Sequence, residues 1–214
     1  LNVYKKFFEE YLAIPVLTGK KTEKEKFAGA EYTLSLEALM YDGVSLQSAT
    51  SHYFGQKFAK AFDVKFVDRE NKLQYVYQTS WGTTTRMIGA LIMVHGDDNG
   101  LVLPPKIAPK QVVIASIRNN DEVSKVIDQI NEELAKEGIR ILVDKSDKSA
   151  GFKFAEYEMK GIPVRIEVGP RDIANGKVVV ARRDTSLKEE VNIADIAQYV
   201  KNLLVDIQQS MYNK

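Results

Sequence analysis

The chain has 214 residues, 44% of them hydrophobic and 28% charged, with a formal net charge of +1. That length suits one large domain or two small ones, and the near-neutral balance supplies no overall field to draw in nucleic acid, so any RNA contact must come from a local patch. The absence of cysteine excludes disulfides, thiolate catalysis and cysteine zinc sites and fits a reducing compartment, and no apolar run approaches the length of a membrane span.

Leu1 to Glu10 carries Lys5, Lys6, Glu9 and Glu10, which is not the pattern of a signal peptide. Val3, Phe7, Phe8, Tyr11 and Leu12 have helical spacing over residues 2–13, and Pro15 ends that helix. Thr18 to Lys26 is dense in lysine and glutamate and reads as an exposed loop. Ala30 to Met40 alternates Tyr32, Leu34, Leu36 and Ala38 against Thr33, Ser35, Glu37 and Leu39, the period of a strand. Asp42-Gly43 is a turn signal, and Val44 to Ser51 can return as the antiparallel neighbour. Gln47-Ser48-Ala49-Thr50-Ser51-His52 is a small, polar run at a strand end, where a backbone can approach a ligand closely. Residues 54–62 read as helix and 64–67 as extended chain.

Leu73 to Ser80 alternates with period 2 and reads as a strand, which Gly82 is expected to break. The threonines at 83–85 offer a hydroxyl N-cap. Met87, Leu91 and His95 then share one helical face, with Ile88 and Ile92 beside them. Arg86 thus falls in the first turn of a helix. Such a terminus suits an anion, and a guanidinium placed there, against the helix dipole, can grip a phosphate or carboxylate with two bonds. The spacing leaves open a surface arginine paired with a nearby carboxylate. Trp81, the only tryptophan, suits either the wall of a small pocket or a core. His52 taken alone reads as a hydrogen-bonded structural residue. The run His95 to Gly100 lacks the ligand alternation of a calcium loop, and no metal site is expected.

Pro104, Pro105 and Pro109 mark a boundary. Beyond it, strands are expected at 111–117, 139–143, 164–168 and 178–181. Helices are expected around Val123 to Leu134, Phe152 to Met159 and Ile193 to Met211. The alternation predicts an α/β domain with some parallel pairing. Arg165 and Glu167 share one face of their strand, with Glu158 before it and Arg171 after Gly169-Pro170. A carboxylate and arginines brought together there could read a guanine, as could Lys153, Arg182 and Arg183 hold phosphates; a surface ion-pair cluster stays open.

The run TSWGTTTR followed by GALIMVHGDDNGLVLPPKIAP resembles motif 3 of class II aminoacyl-tRNA synthetases, in the form found in the prolyl-tRNA synthetases of the archaeal/eukaryotic-like subtype. KTEKEKFAGAEYTLSLEALMYDG, LQSATSHYFGQKFAKAFDVKF and GFKFAEYEMKGIPVRIEVGPRD extend the resemblance over nearly the whole chain. TSWGTTTR favours proline over the threonyl and histidyl members that share this type of C-terminal domain. The resemblance implies an α/β (α+β) fold. Residues 1–108 would be part of an antiparallel-sheet catalytic core with motif 3 but not motifs 1 and 2, and residues 109–214 an α/β anticodon-binding domain with a mixed sheet and flanking helices. It implies an ATP site at Gln47, Ser48, Ala49, Thr50, Thr84 and Arg86, with Arg86 also catalytic at the leaving pyrophosphate, helped by Mg²⁺. It further implies a proline pocket at His52, Ser80 and Trp81, and contacts from Glu158, Arg165 and Arg171 to the anticodon guanines of a proline tRNA. A cytoplasmic ligase, homodimeric at full length and without a membrane partner, is the expectation. This piece alone is expected to be inactive, because the arginine of motif 2 would lie before Leu1; an RNA-binding module without catalysis is the alternative.

Overall fold

Four antiparallel strands carry the first half of the chain in the computed structural model, which describes residues 1–214. They run in the order β1 (Val16–Lys20), β2 (Tyr32–Leu39), β3 (Ser45–Gly55) and β6 (Gln78–Thr83). The period-2 pattern of β2 gives this sheet two unlike faces. Leu36 and its register partner Ala49 are buried on one, and Thr33 and Ser35 stand on the other. Helix α1 (Asn2–Glu10) buries Phe8, while Val3 is exposed. A short helix, α2 (Lys57–Ala61), and a separate hairpin, β4 (Lys65–Val67) with β5 (Leu73–Tyr75), link β3 to β6. Helix α3 (Arg86–His95) follows.

Three local expectations change. The segment from Thr18 opens as strand, because β1 pairs along β2 from Val16↔Ala38 to Lys20↔Leu34 and backbone pairing overrides the charge pattern. The strand expected at 73–80 divides into β5, paired to β4, and β6, paired to β3. Gly82 does not end β6, since Gly82 stays opposite Thr50 and Thr83 opposite Ala49.

The second half builds a five-stranded mixed sheet in the order β11-β10-β9-β7-β8. Its strands are β7 (Val112–Ser116), β8 (Ile141–Asp144), β9 (Val164–Val168), β10 (Lys177–Arg182) and β11 (Lys188–Asn192). β7 is parallel to both β8 and β9, and β10 is antiparallel to its neighbours. Helix α4 (Asp121–Lys136) starts at Asn120, whose Oδ1 accepts the Val123 N–H at 2.8 Å. Ile114, Ile127, Ile130, Ile166 and Val168 pack with residues of α7 (Ile196–Asn213) into the main core. On the opposite face, α5 (Ala150–Met159) places Tyr157 against Val113 and Ile162. Sequence pattern missed β11 and the short α6 (Pro170–Ala174), since KEEVN buries only Val191.

The compact units are residues 1–10 with 14–94, and residues 11–13 with 95–214. By compactness, residues 95–108 group with the second half of the chain. Residues 105–108 are held in the second unit by Arg140, which donates to the carbonyls of Pro105, Lys106 and Ala108. His95 is buried there, with Nε2 2.8 Å from the Leu12 carbonyl oxygen. Burial pushes its pKa down, as expected of a neutral structural imidazole.

Lys153 is not a phosphate contact. It is 1% exposed, and its ammonium donates to the Ser116 carbonyl at 3.0 Å and to Ser116 Oγ at 3.1 Å. Asp144 Oδ1 lies 3.6 Å away, and Tyr157 donates to Asp144 Oδ2 at 2.7 Å. Burial pushes the Asp144 carboxyl up, but hydrogen bonds from Ser146 and Tyr157 and the Lys153 charge outweigh it and hold the pKa down at about 2, against an ordinary 3.8. A carboxyl depressed in the folded state stabilises above its unfolded pKa and loses that contribution as pH falls through the folded one. Asp144 should thus contribute about 2 kcal/mol that disappears between about pH 5 and pH 2. Urea titrations across that window should show Asp144→Asn with a flatter acid limb than the parent; parallel limbs would contradict this account.

Candidate functional site

In the first unit, strand register collects the polar groups. His52 pairs with Ser80 and Thr50 with Gly82, while Ser51 pairs with Trp81. Side chains alternate across a strand, so Ser80 and Gly82 share the face of Thr50 and His52. His52 is held through both ring nitrogens, Nδ1 at 2.8 Å from Thr33 Oγ1 and Nε2 at 3.2 Å from Thr50 Oγ1. The rings of Phe27 and Phe54 lie 5.5 and 6.0 Å from it. The imidazole is thus fixed between two hydroxyls and flanked by two aromatic rings.

Arg86 opens α3 as its spacing indicates. Its backbone N–H donates to Thr84 Oγ1 at 3.2 Å, and its Nη1 donates to the Gln47 carbonyl at 3.1 Å. Thr83 Oγ1 donates to the Ser48 carbonyl at 2.8 Å and so ties the end of β6 to the same stretch of β3. The guanidinium is exposed and uses one N–H on this backbone contact, leaving the others for an anion. Lys21 Nζ donates to Gln47 Oε1. Lys21, Ser35, Glu37 and Ser45 line a neighbouring cleft of about 360 Å³. A hydrogen bond from Ser45 holds the Glu37 carboxyl below its ordinary range despite some burial, and Ser35 and Lys21 add to the effect.

In the second unit, Arg165 is 6% exposed and lies between two carboxylates. Its Nε donates to Glu167 Oε1 at 3.0 Å and its Nη1 to Glu158 Oε1 at 3.0 Å. The guanidinium carbon sits 4.1 Å from the Phe154 ring centroid. Lys188 donates to Glu167 Oε1 at 2.8 Å and lies 5.0 Å from the same ring. Glu158, Arg165, Arg183 and Lys188 line a cavity of about 40 Å³, room for a water or the edge of a base rather than a whole purine.

Residues 111–203 match the family model of the anticodon binding domain. The chain is 55% identical over 216 residues to proline–tRNA ligase 2 of Bacillus cereus, covering all of this chain and 45% of that protein. It is 55% identical over 215 residues to proline–tRNA ligase of Lachnospira eligens, with the same coverage. The crystal structure of prolyl-tRNA synthetase from Cryptosporidium parvum complexed with L-proline and AMP superposes with a TM-score of 0.93 at 42% identity, over all of this chain and 47% of that one. The chain is a homologue of the prolyl-tRNA ligases. It spans about 45% of the length of the curated relatives it matches. The mixed α/β architecture, with one antiparallel and one mixed sheet, agrees with that likeness.

Of the residues expected from the prolyl-tRNA ligase resemblance, Gln47, Ser48, Thr50, His52, Ser80, Thr84 and Arg86 come together around β3, β6 and the start of α3. Ala49 contributes backbone only, its side chain being buried on the other face. Trp81 is a correction. Strand alternation turns it away from His52 and Thr50, its ring centroid lies 6.4 Å from that of Tyr4, and it is 67% exposed. Glu158 and Arg165 meet as expected, but Arg171 does not join them. It lies beyond the far end of β9, beside Ile117, Arg118 and Gly169. Arg182 and Arg183 are not spare phosphate contacts: Arg182 is held by Asp184 and Asp206, and Arg183 by Asp97. Sequence reading missed Lys188 and Phe154. The only signal for Lys188 was a lysine on the strand beside β10, and that strand went unrecognised. No helix is long and apolar enough to cross a membrane.

Proposed function

We propose that this chain is the portion of a proline–tRNA ligase that carries part of the adenylation site and the anticodon-reading surface. The contact between Arg86 and the Gln47 carbonyl carries the reading, because it places a guanidinium at a helix start beside the strand that bears Thr50 and His52. In the reaction the proline carboxylate attacks the α-phosphorus of ATP and pyrophosphate leaves. A tRNA ribose hydroxyl then attacks the prolyl carbonyl and AMP leaves. The protein's part is alignment and charge stabilisation. His52, Thr50 and Ser80, with the Phe27 and Phe54 rings beside the imidazole, would orient proline. Gln47, Ser48, Ala49 and Thr84 would hold the nucleotide, and Arg86 would neutralise charge gathering on the departing pyrophosphate. His52, tied to two hydroxyls, orients rather than moves a proton.

The chain groups no three His, Asp or Glu side chains for a metal. Mg²⁺ is commonly held by one or two carboxylates and substrate phosphates, and Glu37 would be the carboxylate of this unit to supply one. Bound there, the ion would add positive charge on the phosphate oxygens. In the second unit, Glu158 would accept from the Watson–Crick N–H groups of a guanine, and Arg165 or Lys188 would donate to its O6 and N7.

Calorimetric titration of the 214-residue chain with ATP and with AMP tests the role of Arg86. Arg86→Ala is expected to weaken ATP about tenfold or more and to leave AMP nearly unchanged, since only ATP presents the outer phosphates. Equal losses for both nucleotides would count against the adenylation reading and favour an RNA-binding module alone.

A further inference from the structure

Arg183 is almost fully buried at 6% exposure, and all three of its donor nitrogens are engaged. Nη1 and Nη2 donate in parallel to Asp97 Oδ2 and Oδ1 at 2.7 and 2.6 Å, and Nε donates to the backbone carbonyl of Glu158 at 3.0 Å. The Arg183 N–H donates to the Pro163 carbonyl at 2.9 Å, which fixes the base of the side chain as well. The guanidinium therefore stands at the C-terminal end of α5, where a cation suits the helix dipole. It grips the very residue whose carboxylate faces Arg165. Asp97 is held in turn: hydrogen bonds lower its pKa, the one from Arg183 foremost, and its backbone pairs with Gly100.

We propose that Asp97 and Arg183 are positioning residues for RNA recognition, fixing the last turn of α5 so that the Glu158 carboxylate meets the N–H edge of a guanine. This rests on the guanine-reading role proposed for the second unit. Glu158 gives one oxygen, Oε1, to Arg165, and its side chain remains 41% exposed, so the other oxygen is open to a base. A carboxylate can separate guanine from its analogues only if it is held to a fraction of an ångström, and its own side chain supplies just one anchor. Asp97 contributes no donor to a base and is remote in sequence, so its influence on recognition would run through Arg183.

The test uses the 214-residue chain and an RNA hairpin with two adjacent guanines in its loop, compared with the same hairpin carrying inosine at both. Inosine lacks the 2-amino group that a carboxylate would accept from. The parent should prefer guanine about tenfold, the value of one well-made polar contact to a base. Asp97→Asn keeps the shape and removes the charge. It should cut that preference to about threefold or less, while inosine-hairpin binding, which rests on backbone charge, changes less than about twofold. Arg183→Lys keeps a cation but loses the fork and should behave alike. Adding Glu158→Gln to Asp97→Asn should remove little more, because both act on one contact. If either single variant keeps the tenfold preference, or loses both hairpins in equal measure, the pair is merely structural and the proposal falls. If the parent itself shows no preference, the guanine-reading role fails first and takes this inference with it.

Discussion

Gly161→Ala and Gly100→Ala should each destabilise the second unit by about 3 kcal/mol or more, the sum of a left-handed backbone penalty and overpacking. Gly161 has φ of +69°, and a Cβ there would lie 2.7 Å from the backbone and Cβ of Leu101. Gly100 has φ of +124°, and its Cβ would lie 2.6 Å from Met159 Cα. The crowding is backbone against backbone, so no flexible side chain can yield. Leu101 N–H donates to the Met159 carbonyl at 3.1 Å, and Leu103 N–H to that of Gly161 at 3.3 Å, holding the two segments in register beside the end of α5. Gly138 is the built-in control. Its φ is +72° but open space surrounds it, so Gly138→Ala should cost only the conformational part, about 1 kcal/mol. Urea unfolding at unchanged m-value measures all three. Gly161→Ala no worse than Gly138→Ala would mean that these segments do not pass as closely as described.

Arg165→Met should cost about 3 kcal/mol, because it leaves Glu167 charged and buried at 5% exposure. The lost contact with the Phe154 ring adds to this, and Lys188, already 2.8 Å from Glu167, offsets part of it. Arg165→Met combined with Glu167→Gln should recover most of the loss, since the penalty is the orphaned charge rather than the missing pair. Thermal melts of the two variants decide this. A single variant as stable as the parent would show that Arg165 is not part of the folded framework.

Periodicity found α4, α7 and the buried strands β7 and β9, because their apolar residues sit inside a core where period and burial coincide. It failed on β1 and β11, edge strands whose side chains are mostly exposed and whose only claim to order is backbone pairing with a neighbour. At the sites, local spacing placed Arg86 in the first turn of α3, and strand parity paired Arg165 with Glu167. Parity also argues against Trp81 standing with Ser80, a conflict evident once both lie on one strand. Lys188 and Asp97 were invisible for a different reason. Each reaches its partner across a long sequence separation, and only the fold brings them together.

Binding of the 214-residue chain to a proline anticodon hairpin, compared with the same hairpin with both guanines replaced by adenine, bears on the whole reading. At a stated salt concentration, the guanine hairpin should bind about a hundredfold more tightly or better, since adenine offers Glu158 neither Watson–Crick N–H and puts an amino group where Arg165 or Lys188 would donate to O6. Glu158→Gln should erase much of the difference. Equal affinity for the two hairpins would mean that the Glu158–Arg165–Lys188 cluster is a structural ion-pair network and that this surface does not read an anticodon.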